Sequence, residues 1–173
     1  SLNIRVHREG VGCGEEVAEQ LCRNGSFAST LLLGPPGSGK TTLLRDLCRL
    51  LGESRRIGLC DERGEVAALS GGVPAFDVGP RTDVLSGCPK ALGAELLLRA
   101  MSPEVLAMDE LSEADLQPLA RGLAAGVRVY ATAHGRSLPE LERRGIPLAS
   151  FETAVRIERR EGRRVYIPEE IIC

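Results

Sequence analysis

Apolar and polar positions follow two alternating periods along the middle of the chain. Four short apolar runs have the length and composition of buried strands: residues 29–33, 56–61, 104–109 and 127–133. Segments with helical spacing separate or flank them: residues 15–22, 41–51, 91–101 and 112–125. Because strands alternate with helices, the pattern predicts an α/β fold, a parallel sheet covered by helices on both faces.

The ends of the chain and one long interval give weaker signals. Residues 154–167 predict two strands around Glu161-Gly162, a small C-terminal β-hairpin. Residues 2–6 alternate like a half-exposed strand. Residues 62–89 are rich in Gly, Pro, Asp and Arg and have no clear period, so we expect a long irregular segment with a functional role.

Capping residues and apolar spacing refine two of the predicted helices. Ser112 and Asp115 resemble a capping box that opens the helix ending near residue 125. In the helix over 91–101, we expect Leu92, Leu96 and Met101 to face the core.

Composition narrows the class of protein. The 173 residues suit one domain, and 43% hydrophobic with 27% charged residues is ordinary for a soluble globular protein. A net charge of −2 and only 3% aromatic residues argue against a nucleic-acid partner. The six cysteines form no C-x-x-C pair, which argues against zinc, and no apolar run approaches the length of a membrane span. We therefore expect a cytoplasmic protein.

A glycine-rich segment supplies the main functional signal. Residues 34–41 read GPPGSGKT and fit the Walker A pattern, between a predicted strand and a predicted helix. Backbone N–H groups of such a loop bind phosphate, the lysine reaches the β- and γ-phosphates, and the hydroxyl after it ligates Mg²⁺. We expect ATP and Mg²⁺ as cofactors, held by Gly34, Pro35, Pro36, Gly37, Ser38, Gly39, Lys40, Thr41 and Thr42.

An acidic pair after the third apolar run predicts the partner of that loop. Asp109 and Glu110 follow four apolar residues, as a Walker B motif requires. We expect Asp109 to hold the magnesium shell with Thr41, and Glu110 to deprotonate the attacking water. The alternative is an ordinary strand with an exposed acidic end. The N-K-x-D pattern with which a GTPase reads the guanine base is absent from the sequence. The acid pair favours hydrolysis over transfer to an organic acceptor.

A histidine and several arginines are further candidates for residues that contact the γ-phosphate. At the end of the fourth apolar run, Thr132 or His134 would act as a γ-phosphate sensor. The alternative for His134 is a histidine that only caps a loop. Three arginines are candidates for a finger that stabilises transition-state charge, with surface ion pairs as the alternative for each: Arg63, Arg81 and Arg99. Four basic residues near the end of the chain predict a solvated hairpin tip, with nucleic-acid binding as the alternative: Arg159, Arg160, Arg163 and Arg164.

Six segments of the chain together carry a family resemblance: residues 34–45 (GPPGSGKTTLLR), 61–63 (DER), 77–85 (DVGPRTDVL), 86–90 (SGCPK), 98–103 (LRAMSP) and 131–135 (ATAHG). They resemble the stage III sporulation protein AA family, ATPases of endospore-forming bacteria related to pilus and type II/IV secretion ATPases. The likeness covers residues 2–160.

The resemblance implies a P-loop NTPase with a RecA- or AAA-like core of the ASCE type. It makes Glu62, or Asp61 beside it, the acidic box, and His134 part of the histidine box. It also implies a homo-hexameric ring beside a membrane channel of the sporulation apparatus.

The family carries an N-terminal region for which this chain has little room, so we expect residues 1–173 to be one ATPase domain, a fragment of a longer chain. Alternatives are a nucleic-acid-stimulated ATPase and a non-hydrolytic nucleotide-binding scaffold.

Overall fold

The computed structural model describes residues 10–22 and 27–171. Within them lie five α-helices: α1 (Glu15–Leu21), α2 (Lys40–Leu51), α3 (Lys90–Ala100), α4 (Leu116–Ala124) and α5 (Leu138–Arg143). The strands of the same residues are β1 (Thr30–Gly34), β2 (Ile57–Asp61), β3 (Leu69–Ser70), β4 (Val73–Pro74), β5 (Thr82–Ser86), β6 (Val105–Met108), β7 (Arg128–His134), β8 (Thr153–Arg160) and β9 (Arg163–Glu170). None of these helices is long and apolar enough to cross a membrane. The strand predicted over residues 2–6 lies outside the described residues.

Seven strands form one sheet in the order β5-β2-β6-β7-β1-β8-β9. All neighbours are parallel except β8 and β9, which form the antiparallel C-terminal hairpin. The predicted parallel sheet and hairpin are therefore confirmed. Since parallel strands end at the same edge, the segments that follow β1, β6 and β7 come together there.

Side chains of the central strands enter two separate cores, one on each face of the sheet. In β1, Leu32 packs with Leu44 and Leu47 of α2 on one face. On the other face, Leu31 and Leu33 share a core with side chains of α3, α4 and α5. A strand sends alternate side chains to opposite faces, so the near-continuous apolar run of β1 is what a strand buried on both faces needs.

The interval over residues 62–89 contains more regular structure than its composition predicts. It holds the short β3–β4 hairpin and the edge strand β5, which pairs with β2 in parallel. The five residues of β5 are only partly buried, with Asp83 exposed. Because an edge strand needs no continuous apolar run, β5 leaves little hydrophobic signal in the sequence.

The predicted inward face of α3 is wrong. Leu92, Leu96 and Met101 are 49%, 47% and 47% exposed, whereas Leu97 is 1% exposed. The reason is close packing of small residues against β2. A Cβ atom added to Gly58 would lie 3.3 Å from the Leu97 side chain, so the glycine lets α3 approach the sheet at Leu97.

This orientation is testable with two neighbouring leucines. Leu97→Ala should lower the free energy of unfolding by about 2–5 kcal/mol, because it leaves a cavity in a buried core. Leu96→Ala is the matched control and should change it by no more than about 0.5 kcal/mol, because that side chain is half exposed. Urea unfolding of both variants measures the difference, and equal losses would contradict the orientation of α3.

Candidate nucleotide and metal site

The loop between β1 and α2 folds around its glycines. Gly37 and Gly39 have φ angles of +72° and +106°, which L side chains adopt only with strain. A Cβ atom on Gly34 would lie 2.6 Å from the Ser38 hydroxyl oxygen, so this position also requires glycine. The loop ends where α2 begins, and the first N–H groups of a helix have no acceptor within it. The result is a concave surface of amide groups suited to an anion.

Lys40 lies folded back into this loop. It is 6% exposed, and its Nζ atom donates to the carbonyl oxygens of Gly34 at 3.0 Å and Pro35 at 3.1 Å. Burial lowers the pKa of Lys40, while the charges of Asp109 and Glu110 oppose that shift. The ammonium group is thus held at the loop by acceptors that phosphate oxygens could replace.

Asp109 connects three segments of the sheet edge. Its carboxylate accepts a hydrogen bond from the Thr132 hydroxyl of β7 at 2.8 Å. It also accepts from the Thr41 hydroxyl at the start of α2, at 3.2 Å and 3.4 Å to its two oxygens. Burial raises the pKa of Asp109, and these two hydroxyl groups partly offset the shift.

Glu110 is held by both its backbone and its side chain. Its φ angle is +43°, its N–H donates to the Thr132 hydroxyl oxygen at 2.7 Å, and its carbonyl accepts from Lys90. Its carboxylate lies 3.2 Å from Nε2 of His134 and 3.3 Å from Arg63. A positive φ in a non-glycine residue is strained, and such strain is concentrated at functional sites.

His134 lies between the loop and Glu110. Its Nδ1 atom is 2.9 Å from Nζ of Lys40, and an ammonium group can only donate. Nδ1 therefore accepts, so the neutral ring carries its proton on Nε2, where it donates to Glu110. The predicted sensor residue thus contacts both the Walker A lysine and the predicted base.

Asp61 and Glu62 lie in different surroundings, although they are adjacent in the chain. The Asp61 carboxylate is buried and accepts from the backbone N–H groups of Glu65, Val66 and Ala67 at 2.9–3.2 Å. Glu62 is exposed and lines a cavity of about 290 Å³ that also touches Glu110. The geometry therefore favours Glu62 for the acidic-box role, since Asp61 is engaged in holding its own turn.

Arg81 and Arg99, the two other candidate finger residues, lie near the opposite ends of the strands. Arg81 immediately precedes β5, and its N–H donates to the Gly52 carbonyl oxygen at 3.2 Å. Arg99 is in the last turn of α3, shortly before β6 begins. The chain does not bring Arg81 and Arg99 to its own loop, whereas Arg63 reaches Glu110.

Two basic residues at the site were missed by sequence reasoning. Lys90 is buried, lies 3.3 Å from the Asp115 carboxylate and donates to the Glu110 carbonyl. Its signals were its rarity, because the chain has 2 lysines among 22 basic residues, and its place at the end of the SGCPK segment. Arg164, which the sequence suggested to be a solvated tip residue, lines the cavity over the loop.

That cavity has a volume of about 380 Å³, within the usual range of small-molecule sites. Residues 36, 37 and 39–42 line this cavity together with Asp109, Glu110, Thr132 and His134. Amide groups and Lys40 suit a phosphate chain, and the oxygens of Asp109 and Thr41 suit Mg²⁺, which prefers hard oxygen ligands. The residues present therefore fit a magnesium-bound nucleotide.

Comparison with solved structures supports the fold. The chain superposes on the VirB11 ATPase of the Brucella suis type IV secretion system with a TM-score of 0.63 and 18% identity, covering 82% of this chain and 47% of that one. For the pilus retraction motor PilT with bound ADP, the TM-score is 0.66 at 18% identity, with 99% and 55% covered. These neighbours identify the fold as that of P-loop ATPases.

Comparison of sequences identifies the family. Stage III sporulation protein AA of Bacillus subtilis (strain 168) is 43% identical over 151 residues, which cover 83% of this chain and 49% of that protein. The chain therefore spans about half the length of this relative. The family model described as "Sporulation stage III, protein AA" matches residues 1–165. The chain thus belongs to the sporulation stage III protein AA family.

Proposed function

We propose that this chain is the core of a magnesium-dependent ATPase that acts as an oligomeric, secretion-type motor at a sporulation membrane channel. The observation that carries the proposal is the position of Asp109, whose carboxylate is hydrogen-bonded to Thr41 while Glu110 beside it is fixed against His134. A phosphate loop, a metal-binding carboxylate and a candidate base therefore share one cavity of about 380 Å³.

Substrate binding depends on the loop and on Lys40. The amide groups at the start of α2 receive the phosphate oxygens, and the Lys40 ammonium exchanges its bonds to the Gly34 and Pro35 carbonyls for bonds to phosphate. Asp109 and Thr41 are the residues that would hold Mg²⁺, which would supply positive charge beside the phosphate chain when bound.

Water activation depends on Glu110. Its carboxylate takes a proton from the attacking water, and the oxygen so activated attacks the γ-phosphorus as the bond to the β-phosphate breaks. The Nε2–H group of His134 orients the carboxylate, and its Nδ1 atom contacts Lys40. A single imidazole therefore couples the phosphate-binding residue to the base, which suits a γ-phosphate sensor.

Oligomerisation and transport are supported by likeness to known motors. One fold neighbour is a type IV secretion ATPase and another is a pilus retraction motor. Arg81 and Arg99 lie away from the site of their own chain, so a finger role for either requires a second copy. We propose a homo-hexameric ring that uses ATP at the cytoplasmic face of the channel and has no nucleic-acid partner.

Glu110→Gln tests hydrolysis directly. It should lower kcat by roughly 100-fold or more, because the amide cannot accept a proton, while ATP affinity stays near the wild-type value. The matched control is Glu113→Gln, which removes the same charge from an exposed residue three positions away. Turnover is measured as phosphate release. Unchanged turnover would contradict the role of Glu110, and the absence of turnover in wild type would favour a non-hydrolytic scaffold.

Lys40→Ala tests nucleotide binding. Removal of the ammonium should weaken ATP binding by roughly tenfold or more, because a charge-assisted bond to phosphate is lost from a partly desolvated site. Arg159→Ala is the control, since it removes one positive charge from an exposed residue outside the 380 Å³ cavity. Isothermal titration measures both affinities. Near-wild-type binding by Lys40→Ala would argue strongly against the loop as a phosphate site.

Asp109→Asn separates stability from metal binding. The native pKa of Asp109 is raised above its unfolded value, so the native state binds that proton more tightly and stability falls as pH rises through this window. In EDTA at neutral pH the variant should therefore have a higher Tm than wild type. The gain should shrink as the pH is lowered and the wild-type carboxyl becomes protonated.

The same variant should lose the rise in Tm that Mg²⁺ with ADP gives the wild type, because the metal-holding carboxylate is gone. Differential scanning calorimetry across pH, with and without Mg²⁺ and ADP, checks both effects. A lower Tm than wild type in EDTA at neutral pH would show that the carboxylate is needed for folding rather than for metal.

A further inference from the structure

The C-terminal hairpin places one arginine directly over the phosphate loop. Strand β8 pairs in parallel with β1, the strand that leads into the loop, and β9 returns beside β8. Arg164 is the second residue of β9, and a Cβ atom on Gly39 would lie 2.8 Å from its Cζ and Nε atoms. The guanidinium group therefore rests on the backbone of Gly39, and a side chain at position 39 would force it to move.

Two neighbouring side chains sense the charge of Arg164. Burial raises the pKa of both Tyr166 and Cys13, and the positive charge of Arg164 opposes each shift. The Cys13 thiol in turn lies 4.0 Å from the carbonyl oxygen of Thr42, in the first turn of α2. The hairpin, α2 and the segment before α1 thus converge on one arginine beside the loop.

The charge environment of Arg164 differs from that of its neighbours. Arg156 is paired with Glu158 and Glu169, and Arg160 is also paired with Glu158. Within residues 10–22 and 27–171, no carboxylate lies within ion-pair distance of Arg164. A guanidinium group without a carboxylate, facing an anion-binding loop, is suited to bind the oxygens of a phosphate chain.

We propose that Arg164 is a phosphate-binding residue for a nucleoside di- or triphosphate, supplied by the same chain from its C-terminal hairpin. This inference rests on the proposed function, since it assigns a further ligand to the same nucleotide. Lys40 contacts the phosphates from within the loop, and Arg164 covers the loop from outside at Gly39. The planar guanidinium can donate two parallel hydrogen bonds, which an ammonium in this place could not reproduce.

The experiment compares Arg164→Ala, Arg164→Lys and the matched control Arg163→Ala. Arg163 is exposed, adjacent in β9 and outside the cavity lining, so it controls for the loss of one positive charge. Binding of ATP, ADP and AMP is measured by titration. For ATP and ADP, Arg164→Ala should weaken affinity by roughly tenfold or more, Arg164→Lys by less, and Arg163→Ala by less than about twofold. AMP binding should change little.

Three results would overturn the inference. The first is ATP affinity in Arg164→Ala that equals or exceeds the wild-type value, which would mean that Arg164 lies over the loop but does not bind phosphate. The second is an equal loss in Arg163→Ala, which would indicate unspecific electrostatics. The third is an equal loss for AMP, which would place the contact away from the β-phosphate.

The same titrations separate this inference from the proposed function. If wild type binds no nucleotide, the proposed function fails and the role of Arg164 fails with it. If wild type binds ATP and Arg164→Ala binds it equally well, only the role of Arg164 fails. Thermal unfolding of the variants verifies folding, which the exposed position of Arg164 should leave intact.

Discussion

The hydrogen bonds from Thr41 and Thr132 to Asp109 are the interaction on which the geometry of the site depends. Strand β7 lies between β1 and β6, so the phosphate loop and the acidic pair are not on adjacent strands. Thr132 of β7 bridges the gap, because its hydroxyl donates to Asp109 and accepts from the Glu110 N–H. One buried carboxylate and two hydroxyl groups thus set the distance between the loop and the base.

This arrangement costs stability in the absence of a metal ion. A carboxylate removed from water favours its protonated form, which is the direction in which the pKa of Asp109 is shifted. Two neutral hydroxyl donors offset only part of that cost, whereas a divalent cation would offset much more. The positive φ of Glu110 adds strain at the same place. This conformation persists because Thr132 accepts from the N–H group of Glu110 and Lys90 donates to its carbonyl group.

The sequence was sufficient to predict which segments meet beside the loop wherever its signals are local. The Walker A loop is a contiguous motif, and Asp109 and His134 follow strongly apolar runs, so the rule that parallel strands end at one edge brings them together. It was insufficient where position depends on pairing between distant segments. Arg164 reaches the loop only because β8 pairs with β1, more than a hundred residues earlier in the chain.

The α3 helix shows a second kind of limit. Its leucines occur at 92, 96, 97 and 98, so apolar residues surround the helix and periodicity does not identify one inward face. The orientation of α3 depends on Gly58 and Gly93, because their missing side chains let the helix approach β2. Steric fit to a neighbouring strand, and not hydrophobicity, therefore determines which leucines are buried.

The distribution of charge around the loop explains why a metal ion and an extra arginine would both be needed. Cations and carboxylates line the cavity in nearly equal number: Lys40, Arg45, Arg63 and Arg164 against Glu65, Asp109 and Glu110. Arg63 is engaged by Glu110, and Arg45 donates to the carbonyl oxygens of Glu65 and Val66. A triphosphate carries several negative charges, so Lys40 alone would leave much of that charge beside three carboxylates. Mg²⁺ at Asp109 and the guanidinium of Arg164 would compensate it from opposite sides of the loop.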